Sequence, residues 1–234
     1  MLLSDDKPAA EARFIPVGMR GEPQPEKLAE YFANLAGDLQ ASVLLIDGPQ
    51  GWKDPENGLE HSRVCERELN TPAKTGLPGA VKPANYGPFV EFSILFFDQL
   101  SARGWPRYQA GGDTIGTTVE TFPLAAWRSL GLNALPAKSK SKPAVLQLAT
   151  EALLALYPAR LDASPNHDEL QALVAAFAGL AMVRGATAEF MLAGKAPFLR
   201  DDTYREGFIA CPRRGYLSLK RTMSSAALAC ACLR

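Results

Sequence analysis

Four consecutive aliphatic residues, Val43 to Ile46, run into Asp47 and then break at Gly48-Pro49-Gln50-Gly51. A continuous apolar run of this length, closed by turn residues, reads as a strand covered on both faces, and such strands occur inside layered α/β sheets. An acid at the C-terminal end of such a strand stands where open α/β sheets place ligands and chemistry. It also has a purely local use, since Asp before Gly-Pro caps a turn through its own backbone.

The neighbouring pattern agrees with a layered sheet. Glu26 to Leu39 spaces Leu28, Tyr31, Phe32, Leu35 and Leu39 at three- and four-residue intervals, which predicts an amphipathic helix before the strand. Arg13 to Val17 is a short strand candidate, confined to an edge or a strand end by Pro16. Strand, helix and strand in that order predict an α/β fold. Downstream, Pro88 to Arg103 predicts a mostly buried helix, Thr114 to Thr121 a β-branched strand, and Leu124 to Leu130 a helix stopped at Gly131. Ala144 to Leu156 and Asn166 to Arg184 predict two more helices, the second opened by a capping box of Asn166 and Glu169. Arg205 to Cys211 is a plausible last strand, and Ser224 to Cys232 reads as a frayed helix or a remnant. Between these elements, residues 54–88 form a long Pro/Gly-rich loop insert with one helical stretch, Leu59 to Leu69; such loops are usually functional or mobile.

Composition narrows the classes. With 234 residues, 47% of them hydrophobic, the chain can bury one large core. Twenty-five basic and twenty-five acidic residues cancel, so any pull toward nucleic acid or anionic lipid must come from a local patch. No apolar stretch is long enough to span a membrane, and the charges among the first twenty residues leave no room for a signal peptide, so a soluble cytoplasmic protein without a membrane partner is expected. Four scattered cysteines and two histidines indicate neither a zinc site nor a disulfide framework.

Three acids are candidates for a site. Asp47 and Glu120 each end a strand run before a proline-containing turn, and Asp168 lies in the first turn of the Asn166 helix, where interaction with the helix dipole is the alternative explanation. In the long loop, Trp52-Lys53 and Lys82 to Tyr86 bring aromatic and basic residues together. That pairing stacks a base and contacts phosphate, or it anchors the loop on the core. Lys138, Lys140 and Lys142, and Arg213, Arg214, Lys220 and Arg221, are the basic clusters. Cys65, with Arg63 and Arg67 nearby and His61 four residues away, is either a thiolate nucleophile or a packed cysteine.

The ordered set IDGPQGW (Ile46 to Trp52), RVCERELN (Arg63 to Asn70), VETFPLAAWRSLG (Val119 to Gly131), HDELQALVAAFAGL (His167 to Leu180) and EGFIACP (Glu206 to Pro212) resembles the DUF429 family of predicted nucleases with an RNase H-like fold. The resemblance spans roughly Phe14 to Pro212 and implies a single domain over residues 1–212, with 213–234 as a tail. It implies an RNase H-like mixed sheet flanked by helices, whose strand-end acids and one late helix meet at the sheet's edge. Such acids hold Mg²⁺ or Mn²⁺, which favour carboxylate oxygens; two metals about 4 Å apart can activate water against a phosphodiester. On that expectation Asp47, Glu120 and Asp168 are catalytic metal ligands, and Trp52, Lys53, Arg63, Lys82 and Tyr86 face a nucleic acid or nucleotide. The family's leading strand, with its aspartate, has no counterpart before Arg13 unless MLLSD fills it without the acid. The acid of its late helix is replaced at Gln171, with Asp168 one turn earlier as a substitute. The other reading is a catalytically inactive module that binds nucleotide, nucleic acid or a protein.

Overall fold

The computed structural model describes residues 1–4, 10–17 and 22–214, and the backbone course of 227–232. The frayed helix or remnant expected over Ser224 to Cys232 is not what the described part shows: Ala227–Cys232 is a strand, and that strand lies inside the sheet. Residues 224–226, with Lys220 and Arg221, lie outside the described residues.

Strands β1 (Leu2–Ser4), β2 (Ala10–Arg13), β3 (Val43–Asp47), β4 (Thr117–Thr121), β5 (Ala159–Leu161), β6 (Phe190–Arg200), β7 (Thr203–Pro212) and β8 (Ala227–Cys232) form one mixed sheet in the order β5-β2-β1-β8-β3-β4-β7-β6. The central strands β8, β3, β4 and β7 are mutually parallel, while β1 runs antiparallel to both β2 and β8 and the edge strand β6 runs antiparallel to β7. Arg13 to Val17 is not a strand as such. Pairing stops at Arg13, because the Phe14 N–H donates to the Asp162 carboxylate instead of a ladder partner and Pro16 has no N–H to offer.

Helices cover both faces, which is why β3 reads as a solid apolar run. On one face, Val43, Leu45 and Val119 pack against α4 (Pro123–Ser129) and the long α6 (His167–Val183), in a core that includes Trp127, Leu173 and Phe177. On the other, Leu44 and Ile46 pack against Phe32 of α1 (Pro25–Asp38) and Phe96 and Phe97 of α3 (Gly87–Ser101). Burying one such aliphatic or aromatic side chain contributes about 1.5–3 kcal/mol, so this double layer dominates the stability. The remaining helices are the five-residue α2 (Val64–Glu68), which lies over β6 and β7, and α5 (Pro143–Leu156), which buries only Leu153. The long loop folds tightly: Trp52 pairs with Arg205, and Lys74 with Lys82. Among the described residues no helix is long and apolar enough to cross a membrane.

Candidate functional site: a cleft at the ends of β3 and β4

A cleft of about 490 Å³ opens at the C-terminal ends of β3 and β4, the end where open parallel sheets bind ligands. Its floor holds Asp47, Glu120 and Thr121; Tyr86, Phe89 and Val90 form one wall, Lys74 and Thr75 border it, and Leu135 to Lys138 with His167, Asp168 and Gln171 form the opposite wall.

The chain enters this region by a turn that tolerates no side chains at two glycines. A Cβ on Gly48 would collide with the Ser93 hydroxyl, and one on Gly51 would come within 2.6 Å of the Glu206 carbonyl oxygen. This close approach lets Gln50 reach β4, where its N–H donates to Glu120 Oε2 at 3.0 Å.

In the parallel β3–β4 pair, Leu45 lies beside Val119, Ile46 beside Glu120 and Asp47 beside Thr121. Side chains alternate across a sheet, so Asp47 follows Val43 and Leu45 to the α6 face, whereas Glu120 follows Ile46 to the opposite face. Of the three expected metal ligands, all of which line the cleft, Asp47 and Asp168 border it from the α6 side and Glu120 from the other. Among the described residues no group of three or more His, Cys, Asp or Glu side chains is placed to hold a metal ion.

Glu120 is moreover already engaged. Arg63 Nη1 and Nη2 each donate to one of its oxygens at 2.7 Å, a bidentate fork, and the same guanidinium donates through Nε to Glu66 Oε1 at 3.1 Å. Glu66 also accepts from the Arg63 N–H at 3.0 Å, the Thr75 N–H at 3.0 Å and the Thr75 hydroxyl. All three charged side chains are buried. Burial works against the charged guanidinium, but the acidic groups around it outweigh that and hold it protonated, well above its ordinary range. Burial lifts the Glu120 carboxyl, and the Arg63 charge and hydrogen bonds oppose the rise. Arg63 thus faces carboxylates, not phosphate. Glu66 and Glu120 are committed to the guanidinium.

Trp52 is buried and packs with Val81, Val90 and Ile94, so it anchors the loop. Lys53 is buried with Nζ on the Asp54 carbonyl at 2.8 Å, and Lys82 reaches the His61 ring away from the cleft. Of the residues expected to face a ligand, Tyr86 is the one on the cleft wall with an exposed ring, set edge-on to Phe89 at 6.5 Å. His61 lies outside α2, and burial pushes the Cys65 thiol well up, which makes Cys65 a packing residue.

Three groups take contacts that the sequence did not assign to them. Gln171 lines the cleft while its Oε1 accepts from Trp127 Nε1 at 2.8 Å, which turns the amide nitrogen into its outward donor. Lys138, read as part of a basic cluster, ion-pairs with Asp168, and His167 bridges Asp168 Oδ1 at 3.1 Å to the Pro136 carbonyl at 3.1 Å. Glu206 joins the loop to β7, accepting from Asp54 N, Asn57 Nδ2 and Val64 N. The capping-box spacing gave the position of His167 and Asp168, but nothing local gave Lys138.

Compared with protein-family models, curated proteins and solved structures, the chain has no match.

Proposed function

We propose that the chain is an RNase H-like protein of the DUF429 type whose cleft binds a nucleotide or the end of a nucleic acid, without a metal held by Asp47, Glu120 and Asp168. The observation that carries the reading is the cleft itself. At about 490 Å³ it is of the size that holds small ligands, and it offers the exposed Tyr86 ring and Phe89 on one side and Lys138 on the other. An aromatic wall suits the flat face of a base, and stacking of that kind is worth about 1–3 kcal/mol per base. Lys138 supplies a cation for phosphate, in exchange for its pairing with Asp168. The mixed sheet with helices on both faces supports the RNase H-like part of the reading.

The competing reading is the metal-dependent phosphodiester hydrolase. One observation favours it: Asp47 and Asp168 border the same cleft from the same side of the sheet. A single titration separates the two. Intrinsic tryptophan fluorescence is a suitable signal because Trp127 is bonded to the cleft residue Gln171. Mononucleotides and short oligonucleotides are titrated with and without millimolar Mn²⁺. The binding reading expects a saturable change that is independent of Mn²⁺ and weakened by Tyr86→Ala. Mn²⁺-dependent cleavage of a labelled oligonucleotide, abolished by Asp47→Asn, would establish the hydrolase instead. No saturable response to any nucleotide would sink the binding reading.

A further inference from the structure

A buried charge cluster lies at the cleft: Arg63 between Glu66 and Glu120. Arg63 is 1% exposed, Glu66 3% and Glu120 4%, so none of the three is solvated as an ion should be. One guanidinium serves two carboxylates. It gives both Nη atoms to Glu120 and Nε to Glu66, leaving the outer lone pairs of these acids to the N–H groups of Gln50, Arg63 and Thr75 and to the Thr75 hydroxyl. The acceptors around the guanidinium are therefore carboxylate oxygens. The neighbouring Cys65 adds no thiolate, because burial pushes its thiol up. Oxygen donors of this kind are what hard divalent cations take.

We infer that Arg63 is the resident cation of this site, its guanidinium filling the place between Glu66 and Glu120 that a divalent ion would otherwise occupy. The chain keeps its carboxylates together by a covalently attached charge, so it needs no metal. Removing the guanidinium uncovers an oxygen site for Mn²⁺ or Mg²⁺, reached from the cleft that Arg63, Glu66, Thr75 and Glu120 all line. The wild-type protein is then indifferent to divalent cations at this position. This inference does not rest on what occupies the cleft, and it stands or falls separately from nucleotide binding.

The test uses the full chain as wild type, as Arg63→Ala, and as Arg63→Ala combined with Glu120→Gln. Free Mn²⁺ is counted by its electron paramagnetic resonance signal while thermal unfolding is followed by circular dichroism. Wild type is expected to take up no Mn²⁺ and to keep its Tm. Arg63→Ala is expected to take up one Mn²⁺ and to gain about 5–10 °C in Tm at a hundredfold excess over Kd; the double variant loses both effects. If Arg63→Ala is unfolded without metal, the same titration still reports, because an ion bound only by the native state drives folding. Arg63→Ala that neither binds Mn²⁺ nor folds with it would overturn the inference. So would a wild-type protein that binds Mn²⁺ and loses it on Glu120→Gln.

Discussion

Glu120 holds Arg63, and that changes what its substitution should do. A carboxylate kept for chemistry can become an amide with little effect on folding, whereas one that pairs with a buried guanidinium cannot. In Glu120→Gln the Arg63 charge stays buried with Glu66 as its remaining acid, and breaking such a pair costs about 3–5 kcal/mol. Urea unfolding with an unchanged m-value should register that loss, and a loss below about 1 kcal/mol would show that the pair is not formed as described. Asp168 behaves differently because it is partly in water. Its burial raises the carboxyl pKa, but hydrogen bonds from Lys138 and His167 outweigh this and hold it below the ordinary 3.8. A native carboxyl held low contributes stability that is present above the unfolded carboxylate range and fades as pH falls through the lower native value. With 35% of the side chain exposed, solvent screens much of that contribution. Carboxyl NMR should therefore show the Asp168 midpoint rising in Lys138→Ala, and an unmoved midpoint would remove Lys138 as the cause. Neither partnership was legible in the sequence, since Arg63 and Glu120 stand 57 residues apart and Lys138 and Asp168 stand 30 apart. Position along the chain says nothing about which strand face a residue takes until the strand register is known.

At the level of elements, legibility followed local chemistry. Helix α6 announced itself by Asn166 and Glu169, and both halves of that capping box form: the Asn166 side chain accepts from the Asp168 and Glu169 N–H groups, and Glu169 accepts from the Asn166 N–H at 2.8 Å. Asn166→Ala should cost about 1 kcal/mol, within a range of 0.5–2 for such caps, readable as a fall in the urea midpoint; no fall would mean the helix is capped by other groups. The same change should disturb the cleft, because His167 and Asp168 form its wall in the turn that Asn166 caps. Helices α1 and α3 and strands β3 and β4 were also legible from periodicity and β-branching, within a few residues at their ends. Strand β6 was not. Its sequence, FMLAGKAPFLR, carries Gly194, Lys195 and Pro197, and its ladder with β7 is irregular between Lys195 and Phe198, so alternation is broken where it would be sought. The sequence predicts helix from Leu59, yet helix begins only at Val64. The residues before it are held in the loop by the Leu59 N–H on Asn57 Oδ1, the Asn57 side chain on the Ser62 carbonyl, and Glu66 reaching back to the Arg63 N–H.

For the molecule as a whole, the sheet is assembled from both ends of the described chain. Strand β8 lies between β1, with which it is antiparallel, and β3, with which it is parallel, so Ala229 stands opposite Leu2 on one side and Leu44 on the other. Without β8 the β5-β2-β1 group would have no hydrogen-bonded connection to the parallel strands that carry the cleft. Ala227 to Cys232 reads ALACAC, with no polar alternation and no turn residues inside, so it offers no strand signal of the half-buried kind. In the register of β8 and β3, Cys232 stands beside Asp47. A strand paired on both sides cannot accept proline, which has no N–H to donate and is confined to edges. Ala229→Pro should leave a ladder acceptor unsatisfied at a cost of about 1–3 kcal/mol, and should loosen β1 and β2 before the β3–β4 centre. Hydrogen exchange tests this directly: amides of residues 2–4 and 10–13 should lose protection in Ala229→Pro to a greater degree than those of residues 43–47, and equal protection in variant and wild type would show that β8 does not join the two halves of the sheet.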